Sequence, residues 1–134
     1  MKLQTHFIVS LFISIALFPL FSYASFLVLI GGFFIDSDHY LYYIIKKKDI
    51  SLKRAYNFCA GPKKRYSDIF CIFHHIEFLI LMIVLSYFSR YIMIITIGIA
   101  VHFLMDLANI HLNKNLKEDA RGLSIIARIL IKKK

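Results

Sequence analysis

Cysteine and acidic residues are both scarce in this sequence. The two cysteines, Cys59 and Cys71, do not form a Cys-x-x-Cys pair, so neither a zinc clip nor a disulfide framework is expected, and reduced thiols are the better interpretation. Eight acidic residues stand against 17 lysines and arginines, which leaves a net charge of +9. There is no internal repeat or low-complexity segment, and 134 residues leave room for a single domain.

The excess of positive charge does not indicate nucleic-acid binding. The basic residues border long apolar runs, and no motif of a nucleic-acid reader is visible. Charge at the edges of hydrophobic runs is typical of membrane proteins, and it suits attraction to anionic lipid headgroups. The composition, 59% hydrophobic with a mean hydropathy of +0.67, agrees with a membrane protein.

Four apolar runs are long enough to be considered as membrane spans. A bilayer core about 30 Å thick requires about 20 apolar residues in a helix. The sequence therefore predicts one all-α domain, an integral membrane bundle of four transmembrane helices. The expected spans are about residues 7–22, 26–45, 69–88 and 91–112, and residues 113–134 form a basic tail.

Lysine and arginine predict the orientation of these spans. The strongly basic loop, residues 46–65, connects the second and third spans, and the positive-inside rule places it in the cytoplasm together with both termini. The expected location is the inner membrane of the cell, with multiple passes. The tail suits either a helix on the cytoplasmic surface or a partly disordered segment.

The first run also fits a signal peptide. Lys2, the apolar stretch and Ser22-Tyr23-Ala24 would make an acceptable cleavage site. Cleavage would remove His6 and leave an odd number of spans, and the basic loop would then be harder to keep inside.

Ionisable residues lie inside these apolar runs, although each costs about 2.5–3.5 kcal/mol on insertion scales. Four of the eight acids and four of the six histidines do so: Asp36, Asp38, Glu77, Asp106, His39, His74, His75 and His102. His6 lies at the start of the first span. Because so many ionisable groups are unfavourable inside a membrane singly, we expect the carboxylates and imidazoles to interact with one another.

The spacing and depth of these residues allow that interaction. In three of the spans a carboxylate and an imidazole are three or four residues apart, which places them on one helix face. The pairs are Asp36–His39, His74–Glu77 and His102–Asp106. At 1.5 Å per residue, all of them lie roughly 10–18 Å from the basic span ends, in the cytoplasmic half of the bundle.

Converging carboxylates and imidazoles form a ligand set for a divalent cation such as Zn²⁺, Mn²⁺ or Fe²⁺. The predicted ligands are His6, Asp36, His39, His74, His75, Glu77, His102 and Asp106. One or two ions are expected; more than four ligands favour two ions over one, and two ions suit hydrolysis of a phosphate ester. Asp36 is the predicted catalytic residue, and Asp38 is expected to orient a ligand.

Each of these residues also has a simpler interpretation. A single membrane histidine is more often a hydrogen-bonded packing residue, and a buried Asp–His pair can serve as a proton relay. His75 and Glu77 cannot both face the direction of His74. An ion or proton conduit, or a structural adaptor whose polar cluster fixes helix packing, therefore remains an alternative to an enzyme.

Two segments resemble elements of the YdjM-like membrane-bound metal-dependent hydrolases. Residues 31–39, Gly-Gly-Phe-Phe-Ile-Asp-Ser-Asp-His, resemble that family's Gly-x-x-x-Pro-Asp-x-Asp-His element, with Ile35 in place of the proline. Residues 98–106 resemble its Gly-x-x-x-His-x-x-x-Asp element. His6 matches an early histidine, and His74-His75 falls where the family has a Thr-His step.

The resemblance implies an activity and a ligand set. The family is distantly similar to zinc-dependent phospholipases C and nucleases, which are all-helical enzymes with several zinc ions. By resemblance the metal ligands are Asp36, His39, His75, His102 and Asp106, with His6 as another.

Residues and resemblance together predict a zinc-dependent hydrolase within the membrane. The expected substrate is a phosphoester of a lipid or a lipid-linked molecule at the cytoplasmic face. Basic residues of the loop would attract its anionic headgroup: Lys46, Lys47, Lys48, Lys63, Lys64 and Arg65.

Overall fold

A computed structural model describes residues 3–60, 72–112 and 124–126, which contain helices and turns and no strand. Six α-helices follow one another: α1 (Leu3–Phe21), α2 (Val28–Gly32), α3 (Ser37–Lys47), α4 (Leu52–Ala60), α5 (Ile76–Ser86) and α6 (Arg90–Leu112). Three short 3₁₀ segments lie at Ser22–Leu27, Phe34–Asp36 and Ile72–His74. Cys71, Lys63, Lys64, Arg65 and nearly all of the predicted tail lie outside the described residues. The all-helical prediction is confirmed for the described part of the chain.

The chain reverses direction after α1, at the polar break in the sequence. Ser22 has a φ of +51°, in the left-handed region, and the following segment packs back against α1. The second apolar run then forms two helices instead of one. Phe33 leaves the helical conformation with φ −126° and ψ −50°, and a 3₁₀ turn leads into α3. This turn places Asp36 immediately before the first residue of α3.

Helices α2 and α6 cross with their backbones in contact. A Cβ atom added to Gly31 would lie 2.1 Å from the carbonyl oxygen of Ile95, and one added to Gly98 would lie 2.2 Å from that of Val28. Only glycine permits such an approach, which is how helices often associate in membranes. The crossing lies one helical turn from His102 and holds it against the end of α2.

Two further hydrogen bonds connect α6 to the neighbouring helices α1 and α5. Arg90, in the first turn of α6, donates to the carbonyl oxygen of Leu20 at 3.1 Å, near the end of α1. Thr96 donates to the carbonyl oxygen of Met82 at 3.1 Å and so connects α6 to α5. These contacts make α6 the central helix, with α1, α2 and α5 packed around it.

The distribution of buried and exposed side chains in α1 is the reverse of that in a water-soluble protein. Its buried side chains are polar (His6, Ser10 and Ser14), whereas Phe12 and Ile15 are 69% and 56% exposed. Helix α5 has no buried residue although nearly all of its side chains are apolar. An apolar exterior around a polar interior is the distribution expected where lipid replaces water.

Two helical stretches are long and apolar enough to cross a membrane: residues 3–47, which include the reversal at Ser22, and Arg90–Asn109. Helix α5 is apolar but has 11 residues, so it is shorter than the predicted third span. The arrangement with four spans stays a prediction.

Candidate metal centre

Six of the predicted ligands meet at one end of the bundle, contributed by separate elements. His6 comes from α1, Asp36 and His39 from the start of α3, His74 from the turn before α5, and His102 and Asp106 from α6. They form three overlapping groups whose ligand atoms lie within 4.8 Å of one another. The groups are His6–Asp36–His102, Asp36–His39–His74 and His74–His102–Asp106.

The direction of the His74 ring is set by Asp38. Nδ1 of His74 donates to Oδ2 of Asp38 at 3.1 Å, and the backbone N–H of Phe73 donates to the same oxygen at 3.1 Å. This bond leaves Nε2 of His74 directed at the centre of the cluster. This is the carboxylate–histidine arrangement that orients metal-binding imidazoles.

The direction of the His102 ring is set by the backbone of α2. Nδ1 of His102 lies 3.0 Å from the carbonyl oxygen of Gly32, which can only accept a hydrogen bond, so Nδ1 again carries the proton. Nε2 of His102 is therefore also directed at the centre of the cluster. It lies 3.0 Å from Nε2 of His74.

Asp36 is the shared member of the cluster. Its Oδ1 atom lies 3.2 Å from Nε2 of His74, 3.6 Å from Nε2 of His39 and 3.7 Å from Nε2 of His102. A carboxylate oxygen that faces three imidazole nitrogens occupies the position of a ligand that more than one cation can share.

Asp106 extends the cluster toward α1. Its Oδ2 lies 3.4 Å from Nε2 of His102, and its Oδ1 lies 3.5 Å from Nε2 of His6. The rings of His6 and His102 stack with centroids 4.0 Å apart. His6, near the start of α1, therefore borders the same centre as Asp106, near the end of α6.

The electrostatics of this centre favour a bound cation. Nε2 of His74, Nε2 of His102 and Oδ1 of Asp36 converge within 3.0–3.7 Å of one another. Buried acceptors in this arrangement are unfavourable unless protons or a metal ion lie among them. The buried His and Asp groups could hold a metal ion, and their nitrogen and oxygen donors suit zinc, manganese or iron.

One edge of the cluster is more exposed than the rest. The side chains of His6, His74, His102 and Asp106 are 2–3% exposed, whereas those of Asp36 and His39 are 16% and 19% exposed. The end of α4 borders this edge, since the thiol of Cys59 donates to the carbonyl oxygen of His39 at 3.8 Å. A substrate would therefore reach the cluster past Asp36 and His39.

Two predicted ligands, His75 and Glu77, lie outside the three groups. His75 is buried with Nδ1 3.3 Å from the carbonyl oxygen of Ile72. The carboxylate of Glu77 accepts hydrogen bonds from Ser124 Oγ at 2.6 Å and from the backbone N–H of Ile126 at 3.1 Å. Where the resemblance places His75, the structure has His74.

The expectation that His74 and Glu77 share a helix face fails for a local reason. His74 ends a 3₁₀ turn, and His75 has an extended backbone with φ −94° and ψ 143°. Helix α5 therefore begins only at Ile76, and the three-residue spacing does not apply across its start.

Two backbone contributions were not predicted: the carbonyl of Gly32 and the N–H of Phe73. The Gly31-Gly32 pair was a signal for the first, because close approach of another element is a common reason for glycine inside a helix. Of the predicted headgroup-binding residues, Lys46, Lys47 and Lys48 are exposed at the end of α3. Lys63, Lys64 and Arg65 lie outside the described part of the chain.

Comparison of the chain with protein-family models, with curated proteins and with solved structures finds no match. The resemblance described above therefore remains a prediction, and the geometry of the cluster is the main support for a function.

Proposed function

We propose that this chain is a multi-pass protein of the inner membrane with four spans and both termini in the cytoplasm. Two observations support the proposal. The helical stretches 3–47 and 90–109 are long and apolar enough to cross a bilayer. The exposed surface of α1 and α5 is apolar, while the buried side chains of α1 are His6 and two serines.

Within this membrane protein we infer a metal-dependent hydrolase site, with zinc as the favoured ion and room for one or two ions. The observation that carries the inference is the convergence of His74 Nε2, His102 Nε2 and Asp36 Oδ1. The opposite side of each ring is held by Asp38 or by the Gly32 carbonyl, so the ligands are oriented before any ion binds. These three atoms lie 3.0–3.7 Å from one another, close enough for one cation to be bound by all of them.

The roles of the residues follow from their exposure. His6, His74, His102 and Asp106 would hold the ion, since they are buried. A bound divalent cation supplies activation of water and neutralises charge that develops on a phosphoryl group. Asp36, on the more exposed edge, is placed to accept a proton from the attacking water or to be shared by two ions.

The favoured substrate is a phosphoester of a lipid or a lipid-linked molecule. His39 is eight residues from Lys47, which places the open edge about 12 Å from the basic end of α3. A site at this depth is close to headgroup phosphates and far from bulk water. The exposed Lys46, Lys47 and Lys48 would attract an anionic headgroup toward it.

Metal content and turnover test this proposal. The protein is purified in mild detergent, bound metal is measured by elemental analysis, and hydrolysis of bis-nitrophenyl phosphate is followed before and after chelation. Asp36→Ala and His102→Ala should each remove metal while the protein stays inserted. His111→Ala is the matched control, because His111 is an exposed histidine of the same helix. Equal metal content in all of these proteins would contradict the metal site.

A proton conduit is the second candidate, because one observation favours it. His6, Ser10 and Ser14 lie four residues apart along α1 and are all buried, so polar groups continue from the cluster toward the other end of the helix. Proton flux into proteoliposomes, reduced by Ser14→Ala without loss of metal, would support the conduit. Hydrolysis with no flux would support the enzyme.

A further inference from the structure

The connection between α3 and α4 is a fixed turn. Lys48 ends α3 in the left-handed conformation with φ +52°, and its N–H donates to the carbonyl oxygen of Ile44 at 2.7 Å. Asp49 follows, and Arg54 donates to both of its carboxylate oxygens at 2.7 and 2.8 Å. These bonds to Arg54, and one from the Tyr43 hydroxyl, hold the pKa of Asp49 well below its usual range.

The turn directs α4 back along α3. Ala55 is buried, and the ring of Phe58 lies edge-on to that of Tyr43 with centroids 5.2 Å apart. The hydroxyl of Tyr40 donates to the carbonyl oxygen of Ile50 at 2.6 Å. One face of α4 is therefore packed, and the turn and the remaining faces are left on the outside.

The outside of this hairpin combines apolar and cationic side chains. Ile50 is 76% exposed, Leu52 70% and Tyr56 47%, and Leu52 and Tyr56 are one turn apart on one flank of α4. Residues 46–60 contain five lysines and arginines and one acid, Asp49, whose charge is balanced by Arg54. We call Lys46, Lys47, Lys48, Ile50, Leu52, Lys53 and Tyr56 the return surface.

We propose that the return surface is a docking site for anionic phospholipids, with Ile50, Leu52 and Tyr56 among the upper acyl chains and the lysines on headgroup phosphates. Amphipathic helices with lysine on one flank and apolar residues on the other bind at this depth. The inference rests on the membrane location proposed above, but it requires neither a metal ion nor hydrolysis.

Lipid fits this surface better than an acidic protein does. Three exposed lysines separate the apolar side chains of the return surface from Leu41 and Ile45 of α3, which are 52% and 80% exposed and belong to the face that the bilayer would cover. Cationic side chains at the border of an apolar surface match the headgroup region of an anionic bilayer. Because Cys59 at the other end of α4 contacts His39, α4 extends from the return surface to the open edge of the cluster.

Fluorescence quenching tests the proposal, because the chain contains no tryptophan and a single introduced tryptophan reports its own position. Leu52→Trp is reconstituted in phosphatidylcholine vesicles that contain either acyl-brominated phosphatidylcholine or acyl-brominated phosphatidylglycerol at the same mole fraction. Asn57→Trp is the control, since Asn57 is exposed and lies about 140° around the axis of α4 from Leu52. Ile50→Trp provides a second reporter if Leu52→Trp is poorly folded.

The expected result has two parts. Tryptophan at position 52 should be quenched more strongly by the brominated phosphatidylglycerol, whereas tryptophan at 57 should be quenched by aqueous acrylamide. Replacing Lys46, Lys47, Lys48 and Lys53 with glutamine should remove the preference, since each lysine near an anionic surface contributes about a fivefold factor.

Two results would overturn the proposal. One is equal quenching of position 52 by the two brominated lipids, and the other is acrylamide access at 52 equal to that at 57. Metal content of the same reconstituted proteins is measured in parallel. If lipid docking failed while metal was retained, the proposed metal site would stand. If metal was absent while lipid docking was retained, the docking site would stand without the metal site.

Discussion

Replacing Gly98 with alanine should separate α2 from α6 and disturb the cluster. The added Cβ would lie 2.2 Å from the carbonyl oxygen of Val28 and 2.9 Å from the backbone nitrogen of Gly32. Both neighbours are backbone atoms, so neither can rotate away. Ordinary contact begins near 3.4 Å, and the two helices must therefore move apart by about 1 Å.

The size of the effect follows from this displacement. A shift of about 1 Å would lengthen the 3.0 Å contact between His102 Nδ1 and the Gly32 carbonyl oxygen beyond hydrogen-bonding distance. Overpacking costs about 1–3 kcal/mol, and the lost hydrogen bond costs about 0.5–1.5 kcal/mol. Alanine recovers about 1 kcal/mol of helix propensity relative to glycine. The expected net loss of unfolding free energy is about 2 kcal/mol on these magnitudes.

Denaturation in mixed micelles measures the free energy of unfolding, and elemental analysis measures bound metal in the same preparations. Because the backbone contact that orients His102 would be lost, zinc affinity should fall about 10–100-fold. Ala108→Gly, at an exposed position of the same helix, measures the propensity difference alone. If Gly98→Ala stabilised the protein by as much as Ala108→Gly destabilises it, the close crossing would be refuted.

Two other predictions concern Asp38 and Asp49. Asp38→Asn should weaken zinc binding about 10–100-fold, because an amide orients the His74 ring less firmly; Glu77→Gln is the control, and equal losses would show that Asp38 has no special role. The lowered pKa of Asp49 means that its contribution to the α3–α4 contact is present above the unfolded pKa of about 4 and is lost as the pH falls below it. The protection of α4 amides, measured against an unfolded peptide at the same pH, should therefore fall in acid, and that of Asp49→Asn should be low at every pH. An acid response that persists in this variant would contradict the assignment.

The residues of the cluster were predictable from the sequence because an ionisable side chain inside a membrane span has a high free-energy cost. Asp36, His39, His102 and Asp106 interrupt apolar runs, where an isolated charge is unfavourable, and they lie at spacings of three or four. The pattern therefore predicts convergence without knowledge of the fold. For α6 it also predicts the shared direction of the pair, since His102 and Asp106 lie in one uninterrupted helix.

Two local changes of the backbone are not revealed by periodicity. Within residues 26–45, whose single span stays a prediction, the chain leaves the helix at Phe33 and resumes it at Ser37. The run from Ile72 onward begins with a 3₁₀ turn and an extended residue, His75. Both breaks occur next to residues of the cluster, Asp36 and His74.

Asp36 and Asp38 contact His74 from two sides. Asp36 and Ser37 both have helical φ and ψ, so the two carboxylates point about 200° apart around the helix axis. Asp36 therefore faces the imidazole Nε2 atoms, while Asp38 binds Nδ1 of His74. The Asp-x-Asp-His segment thus supplies both a candidate ligand and the group that orients the ring of His74.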